Sequence, residues 1–224
     1  MKRSVIFDLD GTLADTSGDL LAAANEAFRA MGHPVRLDPG SDADRAAAVR
    51  GGKSMLRLGL GRQGLADGHL EAQVDRGYPI LLDAYDAAIA VHTALYPGAV
   101  EAMERLRARG DRIGICTNKP EALAEKLMNA LGARHLFHSL VGADTLPLKK
   151  PDPAPLREAV ARAGGEMGRA VLVGDTATDR DTARAAGVPC ILVTFPPADR
   201  DVAELAPEGL LHSFARIEDV LDAL

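Results

Sequence analysis

Short unbroken apolar runs alternate along this chain with longer stretches in which apolar positions recur every three or four residues. The runs are Val5-Ile6-Phe7, Ile113-Gly114-Ile115-Cys116, Leu140-Val141, Val171-Leu172-Val173 and Cys190-Ile191-Leu192-Val193. Their length and β-branched content predict strands buried on both faces. Val100, Met103 and Leu106 mark one face of a helix; Leu123, Leu127, Ala130 and Leu131 mark a second, and Leu156 and Val160 a third. Gly110, Gly132 and Gly187 stand where helices are expected to stop. Leu210-Leu211 predicts a last edge strand, before a terminal helix through Ile217, Val220 and Leu221. Strands alternating with helices predict an α/β fold built on a doubly wound parallel sheet. Right-handed crossovers then put every strand's carboxyl end on one rim.

One segment breaks the alternation. From Leu13 to about His92 the pattern is helical and no strand is evident. Leu20, Leu21, Ala24, Ala27 and Phe28 recur at helical spacing until Gly32-His33-Pro34. An Ala-rich piece at Arg45–Val49 runs into Arg50-Gly51-Gly52-Lys53. Leu56, Leu60, Leu65 and Leu70 follow, and Tyr78, Leu81, Leu82 and Tyr85 mark another amphipathic helix. The expected organisation is a core of residues 1–14 and 95–224, with a small helical domain, 15–94, inserted after the first strand.

Composition narrows the partners more than the fold. The 224 residues are 47% hydrophobic and 26% charged, ordinary for a folded domain. A net charge of −6 gives no basic surplus for nucleic acid. Cys116 and Cys190 each border an apolar run, as buried thiols do, and suggest a reducing cytoplasm. Asp8 interrupts the first apolar stretch too early for a signal peptide, and no run is long enough for a membrane helix.

The candidate chemistry gathers on the predicted rim. Asp8 and Asp10 follow the first strand two residues apart, so on an extended chain both point to one side. Two such acids repel unless a shared proton or a cation stabilises them, and Mg²⁺, with its preference for oxygen, fits. Thr117 and Asn118 end the second strand, Lys150 follows the third, and Asp175 and Asp179 follow the fourth. Singly, these read as turn residues, helix caps or surface charge. Together, three carboxylates with a hydroxyl and an ammonium suit a divalent ion and a phosphoryl group.

In that order the stretches resemble the four motifs of the haloacid dehalogenase (HAD) superfamily. Asp8-Leu9-Asp10-Gly11-Thr12-Leu13 is similar to the first, Thr117-Asn118-Lys119 to the second and Lys150-Pro151-Asp152-Pro153 to the third; Gly174-Asp175-Thr176-Ala177-Thr178-Asp179 is similar to the fourth. Within the superfamily the resemblance is greatest to bacterial phosphoglycolate phosphatases. It implies a Rossmann-like core with a helical cap that closes over the site. Asp8 would be the nucleophile that forms an aspartyl-phosphate, and Asp10 the general acid and base. Mg²⁺ would be held by Asp8, the Asp10 main-chain carbonyl and Asp175, with Asp179 orienting a metal water or Lys150. Thr117, Asn118 and Lys150 would bind the phosphoryl oxygens. The implied partner is a small phosphorylated metabolite, met by a cytoplasmic monomer or homodimer.

Three features depart from the pattern. Arg180 stands where an apolar residue is common, Lys149 adjoins Lys150, and Arg50 and Lys53 flank the glycine pair where neutral or small residues are expected. Those two cations are the candidates for reading an anionic substrate in the cap. The alternatives are a phosphonatase, with Lys53 as its amine, another HAD hydrolase, or a receiver-like phospho-acceptor domain. A receiver leaves the segment 15–94 unexplained.

Overall fold

The structure, a computed structural model, describes residues 2–195 and 202–224. Two compact units emerge, residues 1–14 with 95–224, and residues 15–94.

The first unit is the expected α/β fold. Strands β1 (Ser4–Phe7), β4 (Arg112–Cys116), β5 (Ser139–Val141), β6 (Ala170–Gly174), β7 (Cys190–Val193) and β8 (Gly209–Leu211) form one six-stranded sheet in the order β5-β4-β1-β6-β7-β8. Every pairing is parallel. Phe7 stands opposite Ile115 on one side and Val173 on the other. The chain runs outward through β4 and β5, then returns past β1 to build β6, β7 and β8. That reversal opens a crevice at the carboxyl end of β1, where open α/β sheets place their ligands.

Helices α5 (Ala99–Arg109), α6 (Glu121–Ala130), α7 (Ala154–Arg162), α8 (Ala177–Ala186) and α9 (Ile217–Asp222) connect or follow these strands. Ile6, Cys116, Val141, Leu156, Val160, Leu172, Cys190 and Leu192 share one buried cluster. Removing apolar side chains of this size from water contributes about 1.5–3 kcal/mol each. Both cysteines are free and buried. In α6 the inward positions are Leu123, Ala124, Leu127 and Met128, whereas Ala130, expected on that face, is exposed.

The second unit consists of α1 (Ser17–Ala30), α2 (Asp42–Val49), α3 (Gly52–Gly61) and α4 (Asp67–Ala87). Phe28, Met55, Leu56, Leu60, Val74, Leu81 and Tyr85 are buried. Helix α4 extends far beyond the Tyr78–Tyr85 segment legible in the sequence, beginning at Asp67 and continuing through Pro79. A Cβ at Gly59 would lie 2.3 Å from the Phe28 ring, so a side chain there would collide with the α1 packing. The segment is not wholly without strands: β2 (Ala14–Asp15) pairs with β3 (Ala94–Leu95) in a separate two-stranded sheet. Among the described residues no helix is long and apolar enough to cross a membrane.

Candidate active site

Asp8 leaves β1 with its main-chain N–H still donating to the Val173 carbonyl at 2.8 Å, so the sheet fixes its start. Its carboxylate accepts the Leu9 N–H on Oδ1 at 2.7 Å and meets Lys150 Nζ at 3.0 Å on Oδ2. Lys150 Nζ also donates to Asp179 Oδ1 at 2.7 Å. Both members of this second pair are almost fully buried, at 2% and 0% side-chain exposure. Burial alone would strip the lysine of its charge. Asp179 and Asp8 outweigh it and hold the ammonium well above the usual lysine range. Lys149 is exposed while Lys150 is buried, so the cation of this motif is Lys150.

Asp175 follows β6. Thr12 Oγ1 donates to its Oδ1 at 3.0 Å, which gives the Gly-Thr turn after Asp10 a second task beyond turning the chain. Gly11 has φ +81°, and a Cβ there would lie 2.5 Å from Asp175 Oδ2. Only glycine meets both demands.

Asp179, read from the sequence as a candidate N-cap, is instead the third residue inside α8. Thr176 is the N-cap, and the two form a capping box. Asp179 Oδ2 accepts from Thr176 Oγ1 at 2.7 Å, Thr176 N–H at 3.1 Å and Asp175 N–H at 3.3 Å. With Oδ1 on Lys150, both of its oxygens are engaged. Arg180, the departure in this motif, ties α8 to Glu208 at 2.9 and 3.0 Å and to the Leu205 carbonyl at 3.3 Å.

The loop after β4 completes the rim. Thr117 is buried, and its hydroxyl oxygen accepts the Lys119 N–H at 3.1 Å, leaving the hydroxyl proton to donate elsewhere. Asn118 Nδ2 donates to the Lys150 carbonyl at 3.0 Å and ties the second motif to the third. Neither residue caps α6, whose N-cap is Pro120 without a side-chain hydrogen bond.

Asp10 is met by a different lysine. Its carboxylate receives Lys119 Nζ at 2.9 Å on Oδ1 and 3.1 Å on Oδ2. Lys119 belongs to the second motif, Thr117-Asn118-Lys119, in which the resemblance implies no role for it. A lysine directly after a strand-end Thr-Asn, on the rim that carries Asp10, was the available signal.

Asp8, Asp175 and Asp179 each offer an oxygen, all within 4.8 Å of one another. The all-oxygen donor set suits a hard divalent cation. Burial pushes the Asp8 carboxyl up to about 6, with Asp179 and Asp10 adding to the rise and Lys150 opposing it. Burial, Asp179 and Asp8 likewise raise Asp175 well above the carboxylate range. Lys150 alone does not bring these carboxyls back to their ordinary range, and a divalent ion would supply the further positive charge. Because Asp179 is already saturated by donors, Asp8 and Asp175 are the side chains better placed to bind an ion directly.

In the helical unit, Arg50 is exposed after α2. Lys53 Nζ pairs with Asp75 Oδ1 at 2.7 Å and lies 5.3 Å from the centre of the Tyr78 ring. Gly51 has φ +93° with open space around it, whereas a Cβ at Gly52 would press on Tyr78 and Leu81 at 3.0 and 3.1 Å. At Gly52, therefore, the missing side chain serves helix packing.

Known proteins match this chain along most of its length. A phosphoglycolate phosphatase of Mesorhizobium japonicum is 39% identical over 211 residues, covering 94% of this chain and 90% of its own. Another, of Caulobacter vibrioides, is 37% identical over 213 residues, 94% of this chain and 87% of its own. Among solved structures, CbbY from Rhodobacter sphaeroides in complex with phosphate superposes with a TM-score of 0.74 at 25% identity, covering 99% of this chain and 100% of that one. A predicted phosphoglycolate phosphatase from Haemophilus somnus shares the fold, with a TM-score of 0.80 at 24% identity over 98% and 97% of the two chains. The family model for haloacid dehalogenase-like hydrolases matches residues 2–187, and to that family the chain belongs.

Proposed function

We propose that this hydrolase is a Mg²⁺-dependent phosphatase that cleaves a small phosphomonoester through an aspartyl-phosphate on Asp8. The observation that carries the reading is Lys150 Nζ set between Asp8 at 3.0 Å and Asp179 at 2.7 Å, on the rim shared with Asp175. A carboxylate alone is repelled by a phosphate dianion. An ammonium fixed beside it and a cation bound to its neighbours offset that repulsion.

In this reading Asp8 attacks phosphorus, an Asp8 O–P bond forms, and the ester P–O bond breaks. Asp10 gives its proton to the departing ester oxygen. As a carboxylate it then takes a proton from water, whose oxygen attacks phosphorus; the Asp8 O–P bond breaks and Asp8 is restored as inorganic phosphate leaves. Thr117, the Asn118 main chain and Lys150 hold the phosphoryl oxygens. Asp179 positions Lys150. Bound by Asp8 and Asp175, with the Asp10 carbonyl as the further expected ligand, Mg²⁺ would neutralise charge on the phosphoryl oxygens.

The substrate in this reading is a phosphorylated carboxylic acid such as phosphoglycolate, which the relatives' names support. Choice among esters is assigned to the helical unit, with Arg50 ahead of Lys53, whose ammonium is already engaged by Asp75. The same engagement weighs against a phosphonatase, which needs a free amine. The proposed setting is the cytoplasm, with which two buried free thiols accord.

Asp8→Asn tests the reading. The amide keeps the shape but cannot attack, so turnover is expected to fall about a thousandfold or more in a folded protein. Acid-quenched wild type should carry phosphate on Asp8 by mass spectrometry, and the variant none. Turnover near wild type by folded Asp8→Asn overturns the mechanism.

A further inference from the structure

We propose that Lys119 is the positioning residue of Asp10, gripping both oxygens of its carboxylate and so setting where the acid–base group of the reaction stands. The inference rests on the reading of Asp10 given above. Two lysines would then divide the rim between them, Lys150 serving the nucleophile and Lys119 the acid.

The pair is long-range, made by residues 109 apart in sequence that the neighbouring strands β1 and β4 bring together. The Lys119 side chain is 4% exposed, against 19% for Asp10. An ammonium withdrawn from water is costly unless an anion meets it, so this lysine is no solvated surface charge. Its main chain is fixed as well. The N–H donates to Thr117 Oγ1 at 3.1 Å, and the carbonyl accepts the Ala143 N–H at 2.9 Å.

Asp10 needs such a hold. It sits at the turn after β1, and a free Asp side chain rotates among staggered rotamers, of which few aim an oxygen at a given leaving group. A carboxylate has about four lone-pair sites, so two contacts to one ammonium do not by themselves exhaust it. The grip therefore orients the group without filling it.

Loss of the grip should appear only where Asp10 acts. The probes are an alkyl phosphate, whose leaving oxygen needs a proton, and p-nitrophenyl phosphate, whose leaving group needs little help. For both, kcat/KM reports the steps up to leaving-group release. Lys119→Met is expected to lower kcat/KM on the alkyl ester about ten- to a hundredfold more than on the aryl ester. In an Asp10→Ala background the same change should move that ratio by less than about twofold, because partners in one interaction are not additive. If circular dichroism shows Lys119→Met unfolded, Lys119→Gln carries the test, with a selective fall again expected.

Equal losses on both esters, or a selective loss that persists without Asp10, overturn the inference; the first is what a phosphoryl-binding lysine would give. Asp10→Ala separates the two possible failures. If that variant is itself blind to the leaving group, the acid reading fails and takes this inference with it. If Asp10→Ala is selective and the Lys119 variant is not, this inference alone fails.

Discussion

Buried carboxylates meet opposite fates in the two units of this protein. In the helical unit Asp19 accepts the N–H groups of Val91, His92 and Thr93 at 2.9–3.1 Å and the Thr93 hydroxyl at 2.7 Å. Asp44 accepts the Asp38 N–H at 2.7 Å and the two terminal nitrogens of the Arg62 guanidinium, one on each oxygen. Burial pushes Asp44 up, but these donors outweigh it and leave its carboxyl below the usual range. In the α/β unit the balance reverses, and burial holds Asp8 and Asp175 above that range despite Lys150 and Thr12. All of these acids are shielded from water, but Asp8 and Asp175 lie deeper in the protein than Asp44 and have fewer donors to offset their burial. Acids whose donors are complete hold a fold together. Acids left short of positive charge remain free to bind a cation or attack phosphorus, at a cost in stability that functional sites commonly carry.

The largest effect that would break this contrast comes from the metal. If Asp8 and Asp175 share a divalent ion, excess chelator should abolish turnover. Asp175→Ala should lower the rate at limiting Mg²⁺ about a hundredfold or more, since such a cation contributes several kcal/mol to the transition state. Raising Mg²⁺ should recover part of that loss, read as a higher midpoint in a Mg²⁺ titration. Ca²⁺ should support turnover poorly, because its looser coordination spoils in-line geometry. Full activity in excess chelator would show that the charge deficit serves something other than a metal.

The same contrast governs what the sequence could disclose. Strand runs, their helices and the shared rim were legible because burial on both faces demands apolar runs, and because Asp8, Thr117 and Asp175 follow such runs directly; Lys150 lies farther along the loop after Leu140-Val141 and was legible through its motif. From the residues alone Asp179 reads only as an acid at a helix start; its tie to Lys150, one of the two roles the resemblance implies, is a contact across 29 residues that spacing does not disclose. Lys119 could be placed on the rim from its position after Thr117-Asn118, but its contact with Asp10 could not, since only the fold makes it. In the helical unit, Gly51-Gly52 stood out between two candidate substrate-reading cations, yet Gly52 turns out to make room for Tyr78 and Leu81. The part of α4 before Tyr78 went unread because Gly68 and Gly77 are poor helix formers, and packing on α1 and α3 overrides their propensity.

The next effect sharpens the comparison through pH, with opposite signs in the two units. In chelated protein, folded Asp8 holds its proton more tightly than unfolded Asp8 does. Its contribution to stability is full below the unfolded carboxylate range and is lost as pH rises through about 6. Asp8→Asn cannot ionise, so it should be the more stable protein at pH 8, by up to about 3 kcal/mol, with no such advantage at pH 4. Folded Asp44 has a depressed pKa, so its contribution is present above the unfolded value and fades as pH falls through the folded one. Asp44→Asn should cost about 2 kcal/mol at pH 7 and progressively less in acid. Denaturant titrations of the two variants across pH read both signs. Parallel pH profiles would dissolve the distinction drawn here.

The smallest effect concerns cations rather than acids, and asks whether the helical unit holds any charge short of partners as the α/β unit does. Lys53 does not qualify, being paired with Asp75 at 2.7 Å and stacked near Tyr78. Both members of that ion pair are exposed, so its loss should do little to stability or selectivity. Arg50 is exposed at the end of α2, and its planar fork suits a carboxylate better than an ammonium does. Arg50→Ala should therefore lower kcat/KM on phosphoglycolate about ten- to a hundredfold relative to p-nitrophenyl phosphate, while Lys53→Ala leaves the ratio near that of wild type. The opposite result, a ratio moved by Lys53→Ala alone, would mean that Asp75 releases the lysine when substrate binds. If neither change moves the ratio, both cations are solvated surface charge. Selection among esters would then fall to residues other than this pair.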